Sequence, residues 1–238
     1  MPEKITIGDI SVDVVFKDIK NVHLSVHPPT GRIRIAAPER TSLDTLRIYA
    51  ISKLNWIRKA QAKIQAQERE TQREYIERES HYLWGSRYLL RVEEVEAPPS
   101  VTLLHDEIVL SVRPNSSRTK REEIISAWYR EELRNVVTPL IPTWEKELGV
   151  KVNQLFIQRM KTRWGSCNHN KGNIRLNTEL AKKPRICLEY ILVHELVHLL
   201  EPSHNERFTG LMDQFMPQWR HYRNELNQAP LGFVAWEY

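Results

Sequence analysis

The sequence predicts an α+β protein in which helices pack on a small mixed sheet and one apolar helix lies in the core. Stretches that alternate apolar and polar residues are typical of strands, whereas other segments repeat apolar residues at helical spacing. A third segment, residues 186–200, is apolar almost all round. Since 238 residues exceed the usual domain of about 150 residues, we expect an accessory strand-helix region over 1–80 and a main region over 81–238.

The composition excludes several classes of protein. With 41% hydrophobic and 27% charged residues, the chain has enough apolar material for a core, which excludes disorder throughout. No apolar run approaches the roughly 20 residues of a membrane span, and two cysteines are too few for a disulfide framework. We therefore expect a cytoplasmic protein with free thiols. The net charge of +5 favours solubility over nucleic-acid binding, which stays an open alternative.

The first 80 residues read as strands followed by a helix. Three alternating stretches predict a small antiparallel sheet. Their apolar residues are Val12, Val14 and Phe16, then Val22, Leu24 and Val26, then Ile33 and Ile35. From Leu43 to Ile57 apolar residues recur at helical spacing, and the polar residues 59–79 continue it, so one long helix is expected.

A similar order returns farther along the chain. Strand-like stretches at 88–95, 101–104 and 108–112 precede Pro114 and a helical pattern through Leu133. This repetition suggests a loose internal duplication.

The region after residue 148 predicts a hairpin and then the core helix. One strand is expected from Leu155 to Cys167 and a second over 173–176, joined by the turn-rich residues 168–172. Pro184 suits the start of a helix, which we expect to reach Leu200.

That helix carries the pattern His194-Glu195-Leu196-Val197-His198. Residues four apart lie one turn above each other, so both imidazoles can bind one metal ion, and Glu195 beside them can activate a water on the metal. The apolar neighbours would bury this face, and buried polar groups need partners, which a metal ion supplies.

A third ligand is expected shortly after the helix. Pro202 ends the helix, and residues 203–206 resemble a capping box, which would place His204 in the first turn of the next helix. Metzincin-type zinc proteases place their third histidine six residues after the second, as His204 follows His198. The competing third ligands are the carboxylates Glu225 and Glu201, as in thermolysin-like enzymes.

Zinc is the expected cofactor. Three imidazoles with one open position form the ligand set that Zn²⁺ takes in catalytic sites. Cys167 would close the site if it were a fourth ligand, but a small buried thiol is the ordinary state of a free cysteine.

The segment Arg163-Trp164-Gly165-Ser166-Cys167, followed by the motif at 194–198 and by His204, resembles the YgjP-like metallopeptidases, relatives of the SprT-type zinc proteases. The resemblance extends to Pro202 and Phe208 and covers most of the chain. It implies a zincin-like catalytic region, preceded by a family-specific N-terminal half.

The same resemblance implies roles for individual residues. It makes His194, His198 and His204 zinc ligands and Glu195 the general base, and it places the strand at Trp164 to Cys167 along the cleft. It leaves the substrate open, because some relatives carry a UTP pyrophosphatase label while SprT-type proteins act on protein bound to DNA.

The expected reaction is metal-assisted hydrolysis of peptide bonds in a polypeptide substrate. An exposed strand near residues 163–167 could hold an extended peptide, so Arg163, Trp164, Gly165, Ser166 and Cys167 are candidate substrate-binding residues. Tyr222 and His221 are candidates for a second electrophile. The apolar tail 230–238 is expected to dock on the body or to meet a partner.

Two rival functions remain at this point. The first is hydrolysis of a nucleotide such as UTP at the same metal, with phosphate contacts from Arg159, Lys161, Arg163 and Arg175. The second is a structural zinc site that stabilises a basic nucleic-acid-binding module. A structural zinc site normally has four protein ligands, and it would give Glu195 no role.

Overall fold

A computed structural model describes residues 3–27, 30–66, 73–160 and 163–228. These residues form two compact units, 3–66 and 73–228. The second unit begins before residue 80, where the sequence suggested the boundary, because Tyr75 is buried in that unit's core. The tail 230–238 and Lys161 lie outside the described residues. Within the described ranges, no helix combines the length and the apolar character needed to cross a bilayer.

The first unit contains a four-stranded mixed sheet. Its strands are β1 (Glu3–Ile7), β2 (Ile10–Lys17), β3 (His23–His27) and β4 (Arg32–Pro38), in the spatial order β1-β2-β4-β3. The prediction of an antiparallel sheet is wrong, because β4 pairs with β2 in parallel. The β3–β4 hairpin inserts β4 beside β2, so Val12 and Val14 lie next to Ile33 and Ile35 in the core.

Two helices cover one face of this sheet. They are α1 (Leu43–Ser52) and α2 (Leu54–Ala66). The predicted single helix through residue 79 is wrong, because the chain leaves helical geometry at Lys53 and residues 73–79 are not helical. The break allows Leu46 of α1 and Ile57 of α2 both to be fully buried in the unit's core. The Ser42 hydroxyl caps α1 by accepting a hydrogen bond from the Thr45 N–H.

The second unit begins with a sheet of the same topology. Its strands are β5 (Ser80–Leu83), β6 (Ser86–Glu94), β7 (Ser100–Leu103) and β8 (Glu107–Val112), in the order β5-β6-β8-β7. As in the first sheet, the central pair is parallel and the two outer pairs are antiparallel. This correspondence confirms the internal duplication at the level of topology. The long helix α3 (Arg118–Leu148) follows and ends at Gly149, whose φ of 66° is left-handed.

A three-stranded sheet lies next to the core helix. It is formed by β9 (Gln154–Gln158), β10 (Gly165–Asn168) and β11 (Asn173–Asn177), in the order β10-β11-β9. The prediction of one continuous strand from 155 to 167 is wrong. The buried Asn177 amide donates hydrogen bonds to the carbonyls of Met160 at 2.9 Å and Arg163 at 2.8 Å, and so holds these two residues outside the strands.

The remaining helices are α4 (Arg185–Val197), α5 (Glu206–Phe215) and α6 (Trp219–Gln228), and a short 3₁₀ helix (Thr178–Lys182) precedes α4. As predicted, α4 is a core helix, since nine of its thirteen residues are buried. Its regular part ends at Val197, three residues before the predicted end, because residues 198–200 form turns. Pro217 lies between α5 and α6, a position that suits a residue unable to continue a helix.

Candidate metal centre

Three histidines meet where the chain leaves α4 and enters α5. His194 lies in the last turn of α4, and His198 is its C-terminal capping residue. His204 is not in the first turn of α5 as predicted. Its neighbour Asn205 is the N-cap and accepts a hydrogen bond from the Phe208 N–H at 3.0 Å. The reversal between the two helices nevertheless brings His204 back to α4.

The three imidazoles form one compact cluster. One ring nitrogen from each of His194, His198 and His204 lies within 4.8 Å of the corresponding nitrogen of the other two. The Nε2 atoms of His194 and His204 are 3.0 Å apart. Among the described residues this group includes neither Cys167 nor the carboxylates Glu201 and Glu225, which were the alternative ligands.

Neighbouring groups fix the orientation of the rings. The Nδ1 of His198 lies 3.1 Å from the carbonyl oxygen of Glu201, and because a carbonyl only accepts, Nδ1 carries the hydrogen and Nε2 keeps its lone pair. The buried Phe208 ring contacts all three imidazoles, with centroids 4.7 to 4.9 Å apart. In the sequence Phe208 was noted as part of the family resemblance, and in the structure its ring packs against all three imidazoles.

The cluster is suited to a cation. Burial, together with the neighbouring His198 and His204, lowers the pKa of His194 to about 3. Burial also lowers the pKa of His198. The Nδ1 of His194 is buried without a hydrogen-bond partner among the described residues. Three imidazoles gathered in this way offer nitrogen ligands to a common space, which fits a metal ion of the kind the sequence predicts.

The Glu195 side chain lies against the first residue of β10. Its side chain is 5% exposed. A Cβ built on Gly165 would lie 2.5 Å from Glu195 Oε1 and 2.9 Å from Ile191 Cγ2, so only a glycine leaves room for the carboxylate here. Burial raises the pKa of Glu195 to about 8, an effect that the charge of Arg163 opposes.

Of the other predicted substrate-binding residues, Cys167 lies near Glu195, whereas Trp164 and Tyr222 make contacts outside the histidine cluster. Burial and the nearby Glu195 raise the pKa of Cys167 to about 11, so its thiol is protonated at neutral pH. The Lys183 Nζ lies 5.9 Å from the centre of the Trp164 ring, and Ser166 is half-buried on β10. The Tyr222 hydroxyl donates a hydrogen bond to Gln218, which precedes α6, and His221 contacts Tyr222. Neither of these contacts involves the histidine cluster.

Two basic residues of the nucleotide alternative have partners elsewhere. Arg159 forms an ion pair with Glu122 at 3.6 Å, and the Arg175 guanidinium lies 5.2 Å from the centre of the Phe156 ring. Arg163, a third member of that set, interacts electrostatically with Glu195.

His169 was not among the residues selected from the sequence. It lies in the exposed turn between β10 and β11, and its charge contributes, after burial and the charge of His204, to lowering the pKa of His198. In the sequence, His169 could have been noticed only because it lies two residues after Cys167, in a predicted turn where a histidine is ordinarily solvated.

The buried carboxyl of Glu195 predicts a pH-dependent stability of the metal-free protein. Between pH 4.5 and 8 the folded state binds a proton at Glu195 that the unfolded state has lost, so the free energy of unfolding falls as the pH rises, by about 4 kcal/mol in total. Glu195→Gln should lack this decline. Urea unfolding of both metal-free proteins at pH 5 and pH 8 measures it.

Two histidines act in the opposite direction over a lower pH range, since their lowered pKa values weaken the fold as the pH falls below about 6.5. They are present in both proteins, so their effect cancels in the comparison. Equal pH slopes for the two proteins would show that Glu195 is ionised in the metal-free fold.

Comparison with known proteins gives a family match over most of the chain. A family model described as YgjP-like, metallopeptidase domain, matches residues 20–229. No curated protein sequence matches the chain.

Two similar solved structures are metallopeptidase zymogens, abylysin of Pyrococcus abyssi and jannalysin of Methanocaldococcus jannaschii. Both are 20% identical to this chain and cover 40% of it. The similarity spans 98% of the abylysin chain with a TM-score of 0.37, and 94% of the jannalysin chain with a TM-score of 0.33.

Proposed function

Because this chain belongs to the YgjP-like metallopeptidase family, we propose that it is a zinc-dependent peptidase with Glu195 as its general base. One observation carries the proposal. Three imidazoles converge at the end of α4, and the residue after the first of them is a buried carboxyl whose pKa is raised to about 8. A purely structural metal site would have no use for that carboxyl.

The chemistry of the ligands favours zinc. His194, His198 and His204 would hold the ion through imidazole nitrogens, a set that suits borderline-soft Zn²⁺ better than Mg²⁺, which prefers oxygen ligands. When bound, zinc would supply Lewis-acid polarisation to water and to the substrate carbonyl.

The chain itself supplies the proton transfers. Glu195 would take a proton from the attacking water on a carboxylate oxygen and pass it to the nitrogen of the leaving amine as the peptide bond breaks. A pKa near neutrality suits both steps, since the carboxylate must first accept and then release the proton. A positive ion nearby would lower this pKa and so favour the carboxylate at the start of the cycle.

The edge strand β10 favours a polypeptide substrate. It pairs with β11 on one side and is the outer strand of its sheet. Its first residue, Gly165, lies against Glu195. A peptide that added to the free edge of β10 as a further strand would therefore pass close to the general base.

The direct test offers the zinc-loaded protein an unfolded polypeptide and UTP in parallel, with Glu195→Gln as the inactive control. Cleavage of the polypeptide by the wild-type protein alone supports the proposal. Release of pyrophosphate from UTP without cleavage of the polypeptide would replace it with the nucleotide reaction, and inactivity of the zinc-loaded protein toward both would reject it.

Gly165→Ala should impair catalysis while leaving metal binding intact. The added methyl group would overlap Glu195 Oε1 and Cγ, so the carboxylate must move. A displacement of about 1 Å in a catalytic group costs on the order of 100-fold in kcat. Steady-state kinetics on a peptide substrate measure kcat, and zinc content is measured on the same sample.

Gly210→Ala on α5 is the matched control, because a Cβ at Gly210 meets no atom within 4 Å. It should leave kcat unchanged. If Gly165→Ala retained full kcat, the close approach of β10 would have no role in placing the base.

A further inference from the structure

The positive charge of this protein is concentrated in its first unit. Its described residues, 3–27 and 30–66, contain eleven Lys and Arg residues against six Asp and Glu residues. That excess of five equals the net charge of the entire 238-residue chain. The candidate metal centre lies in the other unit.

Part of this charge lies on the face of the first sheet that α1 and α2 leave open. The helices cover the face of Val12 and Ile33, which are almost completely buried. Because side chains alternate along a strand, the opposite face carries the intervening residues. Its charged and polar members are Lys4, Thr6, Ser11, Asp13, Lys17, His23, Ser25, His27, Arg32 and Arg34. We call this set the open sheet face.

The single acidic residue of the open sheet face is already paired. Asp13 is 7% exposed and accepts a hydrogen bond from Arg32 Nε. Lys4 and Arg34 are exposed, and within the described ranges neither has a carboxylate partner. Burial lowers the pKa of His27, and the charges of Arg34 and Arg32 lower it as well.

The arrangement of the cations fits an extended chain of anions. Arg32 and Arg34 are two residues apart on β4, about 6.7 Å, and Lys4 lies two strand spacings, about 9.5 Å, from Arg34. A depression of about 410 Å³ opens on this face, lined by Lys4, Ser11, Thr30 and the paired residues Asp13 and Arg32, among others. A single small anion would touch one of these cations, whereas a polyanion would touch several.

The donors on this face favour phosphate groups. Arg and Lys side chains, together with Ser and Thr hydroxyls, are the groups that contact nucleic-acid phosphates. The large apolar side chains exposed in this unit, Ile48, Ile51 and Trp56, are on the helices instead. Without apolar anchors, the open sheet face is poorly suited to a protein partner or to insertion into a membrane.

From these observations we propose that the open sheet face binds the phosphodiester backbone of a nucleic acid without base specificity. Among the described residues, the face carries no Phe, Tyr or Trp ring on which a base could stack, since Phe16 faces the core. Binding should therefore depend on phosphate charge and weaken steeply as salt is added.

The test uses the full-length protein and a fluorescein-labelled, mixed-sequence 20-nucleotide DNA, single-stranded and as a duplex. Fluorescence anisotropy gives Kd between 50 and 200 mM NaCl. The double variant Lys4→Glu with Arg34→Glu should weaken binding by at least about tenfold. It should also reduce the slope of log Kd against log salt concentration by the amount that corresponds to about two phosphate contacts.

The control carries the same change in net charge on the helical side of the unit, Lys53→Glu with Lys59→Glu. Both lysines are exposed. At 150 mM salt, charges more than about 8 Å apart are largely screened, so this control should keep Kd within about twofold. Circular dichroism and peptidase activity, expected to be unchanged in both double variants, exclude misfolding as the cause.

Three results would overturn the proposal. Equal losses in the two double variants would mean that net charge alone drives binding. Competition by polyglutamate as strong as by DNA, at equal charge, would identify a site for acidic polypeptides. The absence of any DNA binding at 50 mM NaCl would show that the face is merely solvated.

Discussion

Glu195→Gln is expected to lower kcat for peptide hydrolysis by about 10³-fold, with zinc content unchanged. General base catalysis contributes about 10² to 10⁴-fold in rate, and the amide of glutamine cannot accept the proton. The substitution keeps the shape of the side chain, so it should fit the same buried space beside Gly165. Zinc should be retained because Glu195 is not a member of the histidine cluster.

The measurement combines single-turnover kinetics on a peptide substrate with metal analysis of the same samples. Glu189→Gln is the matched control, since Glu189 lies on α4 and accepts a hydrogen bond from Trp144 Nε1 at 3.0 Å, which a glutamine oxygen can also accept. It should keep full activity. A Glu195→Gln protein that retained wild-type turnover would require another base, and loss of zinc in that variant would mean that the carboxylate supports the metal.

Local patterns in the sequence were sufficient to predict the central features of the site. The spacing of His194 and His198 fixes their positions on one helix, because an α-helix repeats every 3.6 residues whatever surrounds it. His204 was also selected, and it does join the cluster, although the expected helical turn was misplaced. The side chain of Asn205, rather than that of Ser203, provides the cap, and both residues are plausible caps in a sequence alone.

Long-range pairing was the part that the sequence could not predict. Alternation identifies Val12 and Ile33 as strand residues with one buried face, but it does not say which strands become neighbours or in which direction they run. In the same way, the break between β9 and β10 depends on hydrogen bonds from Asn177, a residue that follows the loop by more than ten positions. The close approach of Gly165 to Glu195 likewise joins residues thirty positions apart.

His204→Ala is expected to weaken zinc binding by more than about 100-fold while leaving the metal-free fold intact. Even residues that only orient a ligand cost 10 to 100-fold in metal affinity when replaced, so loss of a ligand should cost more. The fold should tolerate the change because His204 is exposed and precedes the N-cap of α5. Without its nitrogen, 3.0 Å from His194 Nε2, two imidazoles remain on the C-terminal end of α4.

The affinity is measured by competition with a chromogenic zinc chelator, and thermal unfolding of the metal-free protein checks the fold. His105→Ala, which removes an exposed imidazole between β7 and β8, is the control and should bind zinc like the wild type. If His204→Ala bound zinc with unchanged affinity, the third ligand would be a carboxylate, and Glu201→Ala and Glu225→Ala would then show which one. Such a result would leave the imidazoles of His194 and His198 in place but would give the site a negatively charged ligand, and so a lower positive charge with which to polarise a carbonyl.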